Sequence, residues 1–214
     1  KSIGKGAEKK MAATTAAMKQ LETELYLTRP QIIVIISPHV GLFRDIFVLN
    51  AHSHFFSQFE QFGDLSTKKS WLGAPELTAK INHCLNHPRN TVRLISQEKL
   101  DHGCTVPLFF LTEHLPAVKI LPVGFSERKP KDHFVFGQNL KDCFCQSEKR
   151  IAVIASGDLS HTLSDESPAG FHPEGNNFDT TIRSLLEQGN YAKIIKLDSS
   201  LIKNARECGY RSLL

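Results

Sequence analysis

Two short runs of aliphatic, largely β-branched residues stand out along the chain, Ile32–Ile36 and Ile151–Ala155. A strand that is apolar on both faces is typically central in a parallel sheet, so both runs predict buried central strands. Shorter apolar runs predict further strands over 47–49, 92–95 and 118–123. The segment 51–74 contains the breakers Gly63 and Gly73, and we expect it to be irregular.

Apolar residues recur at helical spacing in the segments between these runs. Four of them share one face of a helix predicted over 7–27: Met11, Met18, Leu21 and Leu25. Pro30 ends that helix. Further helices are predicted over 75–85, 105–115, 131–146, 177–187, 191–196 and from 199 to the end. Because strands alternate with helices, we predict an α/β fold in which helices flank both faces of a central, largely parallel or mixed sheet.

The length of 214 residues suits one α/β domain with a sizeable core, and we expect a single domain over 1–214. The sequence predicts truncation at both ends. Residues 1–6 have the character of a loop, and 212–214 lie in an apolar helical run without a stop signal. The net charge of +4 comes from 26 scattered basic and 22 acidic residues. No basic stripe with interleaved aromatic residues is present, so we expect no nucleic-acid partner.

The cysteines and the hydropathy pattern bear on the cellular compartment. The count of five is odd and no C-x-x-C pair occurs, so a zinc ribbon or a disulfide framework is a poor interpretation. We expect Cys84, Cys143 and Cys145 to be buried or helix-surface thiols. No apolar run approaches the roughly 18 residues of a membrane helix, and the polar start argues against a signal peptide. We therefore predict a cytoplasmic protein with no membrane contact.

Polar clusters follow the two strongest predicted strands. Ser37-Pro38-His39 follows the first, and 156–161, which ends in His161, follows the second. A third cluster, Asp101-His102-Gly103, lies between a predicted strand and a helix. Each histidine alone is compatible with a capping role, Asp158 with a helix N-cap, and 101–103 with a turn. Ligands bind at the carboxyl ends of strands in such sheets, so three clusters at one edge favour a functional site.

Three segments, 35–39, 100–111 and 154–161, resemble motifs of the LigB-type class III extradiol ring-cleavage dioxygenases. The nearest branch is the LigB-like N-terminal domain of AmmeMemoRadiSam system proteins, which is related to Memo. The segments 170–175, 178–179 and 207–212 extend the resemblance over nearly the whole chain. It implies a three-layer fold and a non-haem Fe(II) held by two histidines and a carboxylate, which leaves positions open for a catechol and O₂.

The resemblance also implies roles for individual residues. His39 matches a metal ligand, and His161 matches the acid–base group that assists deprotonation of the catechol, with Asp158 orienting it. His102 matches a catalytic group that contacts substrate or supports the ligands. The third metal ligand is either Glu207, as the dioxygenases require, or Cys208, as in the Memo-like branch. A thiolate would favour copper or zinc over Fe(II). The family's first metal histidine precedes the segment matching 4–6, so this sequence does not include it.

Two functions follow from the resemblance. One is an oxidoreductase that uses a non-haem metal to add O₂ to an aromatic diol. The other is a Memo-like metal- or redox-binding protein without ring cleavage. A homodimer or a fused partner domain is also implied. Near His39, four aromatic residues are candidates for a ring-binding pocket: Phe55, Phe56, Phe59 and Phe62. His52 and His54 are expected in a solvated loop, and His172 at the rim of the site.

Overall fold

The computed structural model describes residues 11–41, 43–57, 59–85 and 92–214. The strands are β1 (Ile32–Ser37), β2 (Phe47–Asn50), β3 (His54–Ser57), β4 (Ser70–Gly73), β5 (Val92–Ile95), β6 (Lys99–Leu100), β7 (Lys119–Gly124) and β8 (Ile151–Ala155). The helices are α1 (Ala12–Thr28), α2 (Pro75–Cys84), α3 (His102–Leu111), α4 (Pro130–Cys145), α5 (Pro173–Glu187), α6 (Tyr191–Ile194), α7 (Ser199–Ala205) and α8 (Tyr210–Leu213). Residues 7–10 of the first predicted helix lie outside the described residues.

Strand β1 lies between β7 and β8 and is parallel to both. Its residues Ile33, Val34 and Ile35 are fully buried, which confirms the prediction of a central strand. In the described part of the chain, β8 pairs only with β1, and its Val153 is 52 % exposed. The prediction that β8 is central is therefore wrong there. An apolar run does not indicate how many strands pair with it, so periodicity alone does not distinguish a central strand from a strand with one neighbour.

The sheet is mixed, as the α/β prediction allows. On the side of β7 away from β1, β2 pairs antiparallel near Gly124 and β4 pairs parallel near Lys119. The prediction that segment 51–74 is irregular is wrong. It contains β3 and β4, which pair antiparallel with Phe55 opposite Trp71. Both of these side chains are buried, and burial alternates along the two strands. This alternation is the period of a half-buried strand.

Alternate side chains of β1 enter two different cores. Ile32 and Val34 pack with residues of α2 and α4, whereas Ile33 and Ile35 pack with residues of α3 and with Leu25 of α1. The result is the three-layer arrangement that the fold class predicts. A third core joins α5, α6, α7 and α8 around Phe178 and Tyr210.

A disulfide joins Cys84 of α2 to Cys143 of α4. The expectation that both are thiols is therefore wrong. The two residues are 59 positions apart, and they meet only because both helices pack on the same face of the sheet. Cys145 is a free, exposed cysteine, as expected.

Three helix boundaries differ from the sequence prediction. Helix α3 begins at His102 and not at Thr105, and α5 begins at Pro173. The helix predicted from 199 to the end stops at Ala205, because Arg206 adopts a left-handed conformation with φ 52°. Residues 207–209 then form a connection to α8. Within the described ranges, no helix is both long and apolar enough to cross a membrane.

Candidate metal and catalytic site

Two parallel strand ends build the base of the candidate site. β1 ends at Ser37 and β8 at Ala155, and the Ser156 amide donates to the Ile36 carbonyl over 2.8 Å. Since β1 and β8 both end at the same edge of the sheet, His39 and the 156–161 segment lie side by side. The sequence predicts this proximity correctly.

Helix α3 brings the third cluster to the same place. β6 runs antiparallel to β1, so the strand-end reasoning is wrong for Asp101-His102-Gly103. Instead, Asp101 caps α3 by accepting from the amides of Gly103 and Cys104 at 2.7 and 3.3 Å. A Cβ on Gly103 would lie 2.6 Å from Ser37 Oγ, so glycine permits this close approach. The rings of His39 and His102 are consequently 4.6 Å apart between centroids.

A backbone contact between two glycines sets the opposite wall. Gly157, with φ +150°, packs so closely on Gly209 that an added Cβ would lie 2.4 Å from the Gly209 Cα. The Asp158 carbonyl accepts from the amides of Cys208 and Gly209 at 3.3 and 2.8 Å. These contacts explain why the chain leaves helical conformation at 206–209. They also place Cys208 beside the segment that follows β8.

Three side chains converge next to this contact. His161 Nε2 lies 3.3 Å from Asp158 Oδ2 and 3.9 Å from Cys208 Sγ. The ligand atoms of Asp158, His161 and Cys208 all lie within 4.8 Å of one another. Both neighbours face the same ring nitrogen of His161. This differs from a nucleophilic Cys-His-Asp relay, in which thiol and carboxylate contact opposite nitrogens. A carboxylate, an imidazole and a thiol around one point form a donor set that suits a transition metal.

Hydrogen bonds fix the backbone that carries His161. The His161 amide donates to the Ala205 carbonyl at 2.9 Å. The Ser160 amide donates to the Asp179 carboxylate of α5 at 2.8 Å. A Cβ on Gly175 would lie 2.6 Å from Ser160 Oγ. Sequence reasoning assigned no role to Gly157, Gly209, Asp179 or Gly175, because what they supply is tertiary contact.

Glu207 and Cys208, the two alternatives for the third ligand, have different surroundings. The Glu207 carboxylate accepts from the Tyr210 amide at 2.6 Å and so holds the start of α8. Burial raises the pKa of Glu207, opposed by that hydrogen bond. Burial also raises the pKa of the Cys208 thiol, opposed by the Asp158 amide, which donates to Sγ over 3.2 Å. Cys208, and not Glu207, belongs to the converging group.

His39 and His102 lie beside that group. Burial lowers the pKa of His39, and the carboxylates of Asp101 and Asp158 oppose this shift. His39 therefore stays neutral near pH 7, which is the form that binds metals. The Nδ1 atom of His102 is buried and has no hydrogen-bond partner among the described residues. Such an atom is costly unless a further group satisfies it.

The structure places some of the remaining predicted site residues at the site and others elsewhere. Of the four phenylalanines, Phe62 packs edge-on against His102 with centroids 5.3 Å apart, whereas Phe55 belongs to the core. His172 caps α5, with its Nδ1 accepting from the Glu174 amide at 3.2 Å. His52 and His54 contact each other through the His52 ring and the His54 backbone.

Comparisons with known proteins agree with this architecture. Residues 2–214 match the family described as the catalytic LigB subunit of aromatic ring-opening dioxygenase. Protein CA_C1420 of Clostridium acetobutylicum is 29 % identical over 220 residues, which cover 99 % of this chain and 47 % of that protein. The chain thus spans about half the length of this curated relative.

A solved structure supports the fold. The crystal structure of the uncharacterised protein JW3007 from Escherichia coli superposes with a TM-score of 0.63. The match covers 93 % of this chain and 78 % of that chain at 19 % identity. The chain belongs to the family of the catalytic LigB subunit of aromatic ring-opening dioxygenases.

Proposed function

We propose that this chain carries the catalytic centre of an extradiol-type oxygenase, which uses a non-haem metal to add O₂ to an aromatic diol. The observation that carries the proposal is the convergence of Asp158, His161 and Cys208 beside His39 and His102, in a chain of the LigB family. This is the place where the β1 and β8 strand ends meet, as expected for a ligand site in an α/β sheet.

His39 and Cys208 would hold the metal, with Glu207 as the alternative to Cys208. His39 is suited to ligation because its lowered pKa leaves a lone pair free at neutral pH. Cys208 is suited because a cation would offset the burial that disfavours its thiolate. A bound Fe(II) would supply open coordination positions where an aromatic diol and O₂ meet.

His161 would act as the acid–base residue. Its backbone amide donates to the Ala205 carbonyl, which fixes the position of the residue, and its half-buried ring lies beside the Asp158 carboxylate. The neutral ring would accept a proton from a hydroxyl of the diol. The buried Nδ1 of His102 would meet a polar group of the substrate. The Phe62 ring, against His102, would supply an apolar contact for the aromatic part.

A second function is favoured by Cys208. A thiol stands in the converging group, whereas Glu207, the carboxylate that dioxygenase chemistry requires, is engaged at the start of α8. A thiolate ligand favours copper or zinc over Fe(II). The alternative is therefore a metal- or redox-binding protein without ring cleavage.

The test uses the full-length protein, reconstituted with Fe(II) without oxygen and then assayed with O₂ and a panel of catechols for the absorbance of ring-cleavage products. We expect His161→Ala to abolish turnover while the metal content, measured by mass spectrometry, is retained. His83→Ala, on the exposed part of α2, is the matched control and should behave like the parent.

The other outcomes separate the alternatives. Loss of metal in His161→Ala would show that the imidazole is a ligand, with Asp158 and Cys208, and not an acid–base group. Tight copper or zinc binding that Cys208→Ala weakens by about tenfold or more, with no turnover of any catechol, would support the second function. A full-length protein that neither binds metal nor turns over a diol would refute both.

A further inference from the structure

We propose that a second site, at the opposite edge of the sheet, binds a small organic phosphate. A cavity of about 530 Å³ opens at the amino ends of β1, β7 and β8, where Ile32 and Lys119 begin their strands and Arg150 precedes one. The metal and catalytic site lies at the carboxyl ends of β1 and β8. The two sites are therefore separated by the length of the strands, and the cavity is not part of the proposed oxygenase centre.

The lining of the cavity is strongly basic. Among the residues that the structure describes, five cationic side chains and one carboxylate, that of Glu76, line it; the cations are those of Arg29, Lys80, Lys119, Lys149 and Arg150. In the whole chain the two signs are nearly balanced, at 26 basic and 22 acidic residues. Cationic charge is therefore concentrated here, and such a concentration attracts a multiply charged anion better than a single carboxylate.

One of the arginines is held in position. Arg150 donates from Nε to the carbonyl of Arg29 at 2.8 Å, and its amide donates to Gln31 Oε1 at 3.2 Å. Arg29 itself caps α1 in a left-handed conformation with φ 47°. The Arg150 guanidinium is thus oriented before any ligand arrives, and this bond does not use its terminal nitrogens. A fork of this kind matches phosphate oxygens.

The first turn of α2 adds backbone donors to the same wall. Pro75, Glu76 and Leu77 line the cavity, and the N-cap residue Ala74 offers no side-chain acceptor. Proline has no N–H, so the backbone donors of this turn are the amides of Glu76 and Leu77. The amides of a first helical turn lack partners within the helix, and they favour phosphate groups. Together with the oriented arginine, they give the cavity donors from two separate elements.

The floor of the cavity is apolar, which points beyond inorganic phosphate. Ile32, Leu77 and Val118 are buried side chains that line it, together with Leu115 and Pro116. A cavity of this size falls in the range of about 300–1,000 Å³ that accommodates small organic ligands. We therefore expect a ligand with a phosphate group on an apolar or planar body, of which a nucleoside monophosphate is a representative probe.

Calorimetric titration of the full-length protein with AMP, adenosine and inorganic phosphate tests the site. We expect saturable binding of AMP, weakened when salt rises from about 50 to about 200 mM. The exposed double substitution Lys119→Glu with Lys149→Glu should weaken AMP binding about tenfold or more. The matched control, Lys193→Glu with Lys203→Glu on α6 and α7, changes the net charge equally and should stay within about twofold of the parent. Circular dichroism confirms that each variant is folded.

Several outcomes would overturn the proposal. One is no saturable AMP binding up to about 5 mM. Equal binding of adenosine and AMP would exclude the phosphate contact, and equal binding of inorganic phosphate would exclude the apolar floor. If both double variants weakened AMP binding equally, the effect would come from the overall charge of the protein and not from this cavity.

Discussion

His133 and His161 show how differently this fold treats two imidazoles. His133, on α4, is 3 % exposed, and its two ring nitrogens lie 3.0 and 2.9 Å from the carbonyls of Lys129 and Ser126. Phe47 and Phe125 pack edge-on against it. His161 is half-buried, and its Nε2 has only the longer contacts to Asp158 and Cys208.

The two regions differ in whether side-chain atoms or backbone atoms have close contacts. Around His133, the side chain is engaged and helps to close the core. Around His161, the backbone is engaged, through Gly157, Gly209 and the Asp158 carbonyl, while the side chains remain free to bind. A functional site is thus recognised here by a rigid backbone that carries incompletely satisfied side chains. In a structural region such as that of His133, the backbone and the side-chain polar atoms both have partners.

The disulfide provides the strongest test of the structural region. Replacement of both Cys84 and Cys143 by serine should lower the free energy of unfolding by about 4 kcal/mol, because the bond closes a loop of 59 residues. Urea unfolding measures the change. Cys145→Ser, at an exposed free cysteine of the same helix, is the control and should change stability by less than about 0.5 kcal/mol. Equal stability of the double variant and the control would show that the bond contributes nothing.

The glycine contact provides the corresponding test of the site. Gly157→Ala should cost about 3 kcal/mol and displace Cys208, because the new Cβ would meet the backbone of Gly209. Gly189→Ala is the matched control, since Gly189 also has a positive φ, of 63°, but an added Cβ there meets nothing within 4 Å. That variant should lose only about 1 kcal/mol. If both variants lost the same free energy of unfolding, the cause would be the backbone conformation of the glycines and not the close contact with Gly209.

The parts of this architecture that sequence predicts are those with a local pattern. The run Ile32–Ile36 predicts β1, and the polar residues after it predict that His39 stands at a strand end. In each case the physical cause lies within a few residues of the pattern.

The parts that sequence does not predict depend on distant segments. Gly157 and Gly209 are 52 positions apart, and neither has a local signal that names the other. The same holds for the disulfide, for the pairing of β3 with β4, and for the pairing of β8 with β1 alone among the described strands. Arg206 stands in a sequence with helical character, yet contacts to Asp158 end the helix there. Tertiary hydrogen bonds outweigh helix propensity at this point.

Alanine substitutions compare the two histidines directly. His133→Ala should lower the free energy of unfolding by about 2 kcal/mol, because it removes the ring contacts to the Ser126 and Lys129 carbonyls and opens a cavity beside Phe47. His161→Ala should change it by less than about 0.5 kcal/mol, since the side chain is half-buried and loosely held. Thermal and urea unfolding of both variants measure this. A larger loss in His161→Ala would reverse the assignment of structural and functional roles.

The smallest expected effect is on the pH dependence of stability. Burial lowers the pKa of His133 below its ordinary value of 6.5, although both carbonyls oppose this shift by favouring the protonated ring. The unfolded chain then binds the proton more readily than the folded chain. The stability due to the neutral ring is therefore fully present above pH 6.5 and is lost as the pH falls from 6.5 towards the lowered pKa.

His39 has a pKa shift of the same sign, but its side chain is exposed, and solvent weakens the effect. Between pH 7 and acid conditions, His133→Gln should therefore flatten the stability profile more than His39→Gln does. Urea unfolding at a series of pH values measures the profiles, and NMR titration of the His133 ring gives its pKa directly. A His133 that titrates above 6.5 would show that the two carbonyl contacts outweigh burial. In that case stability would rise on mild acidification, and the structural histidine would be a charged group of the core.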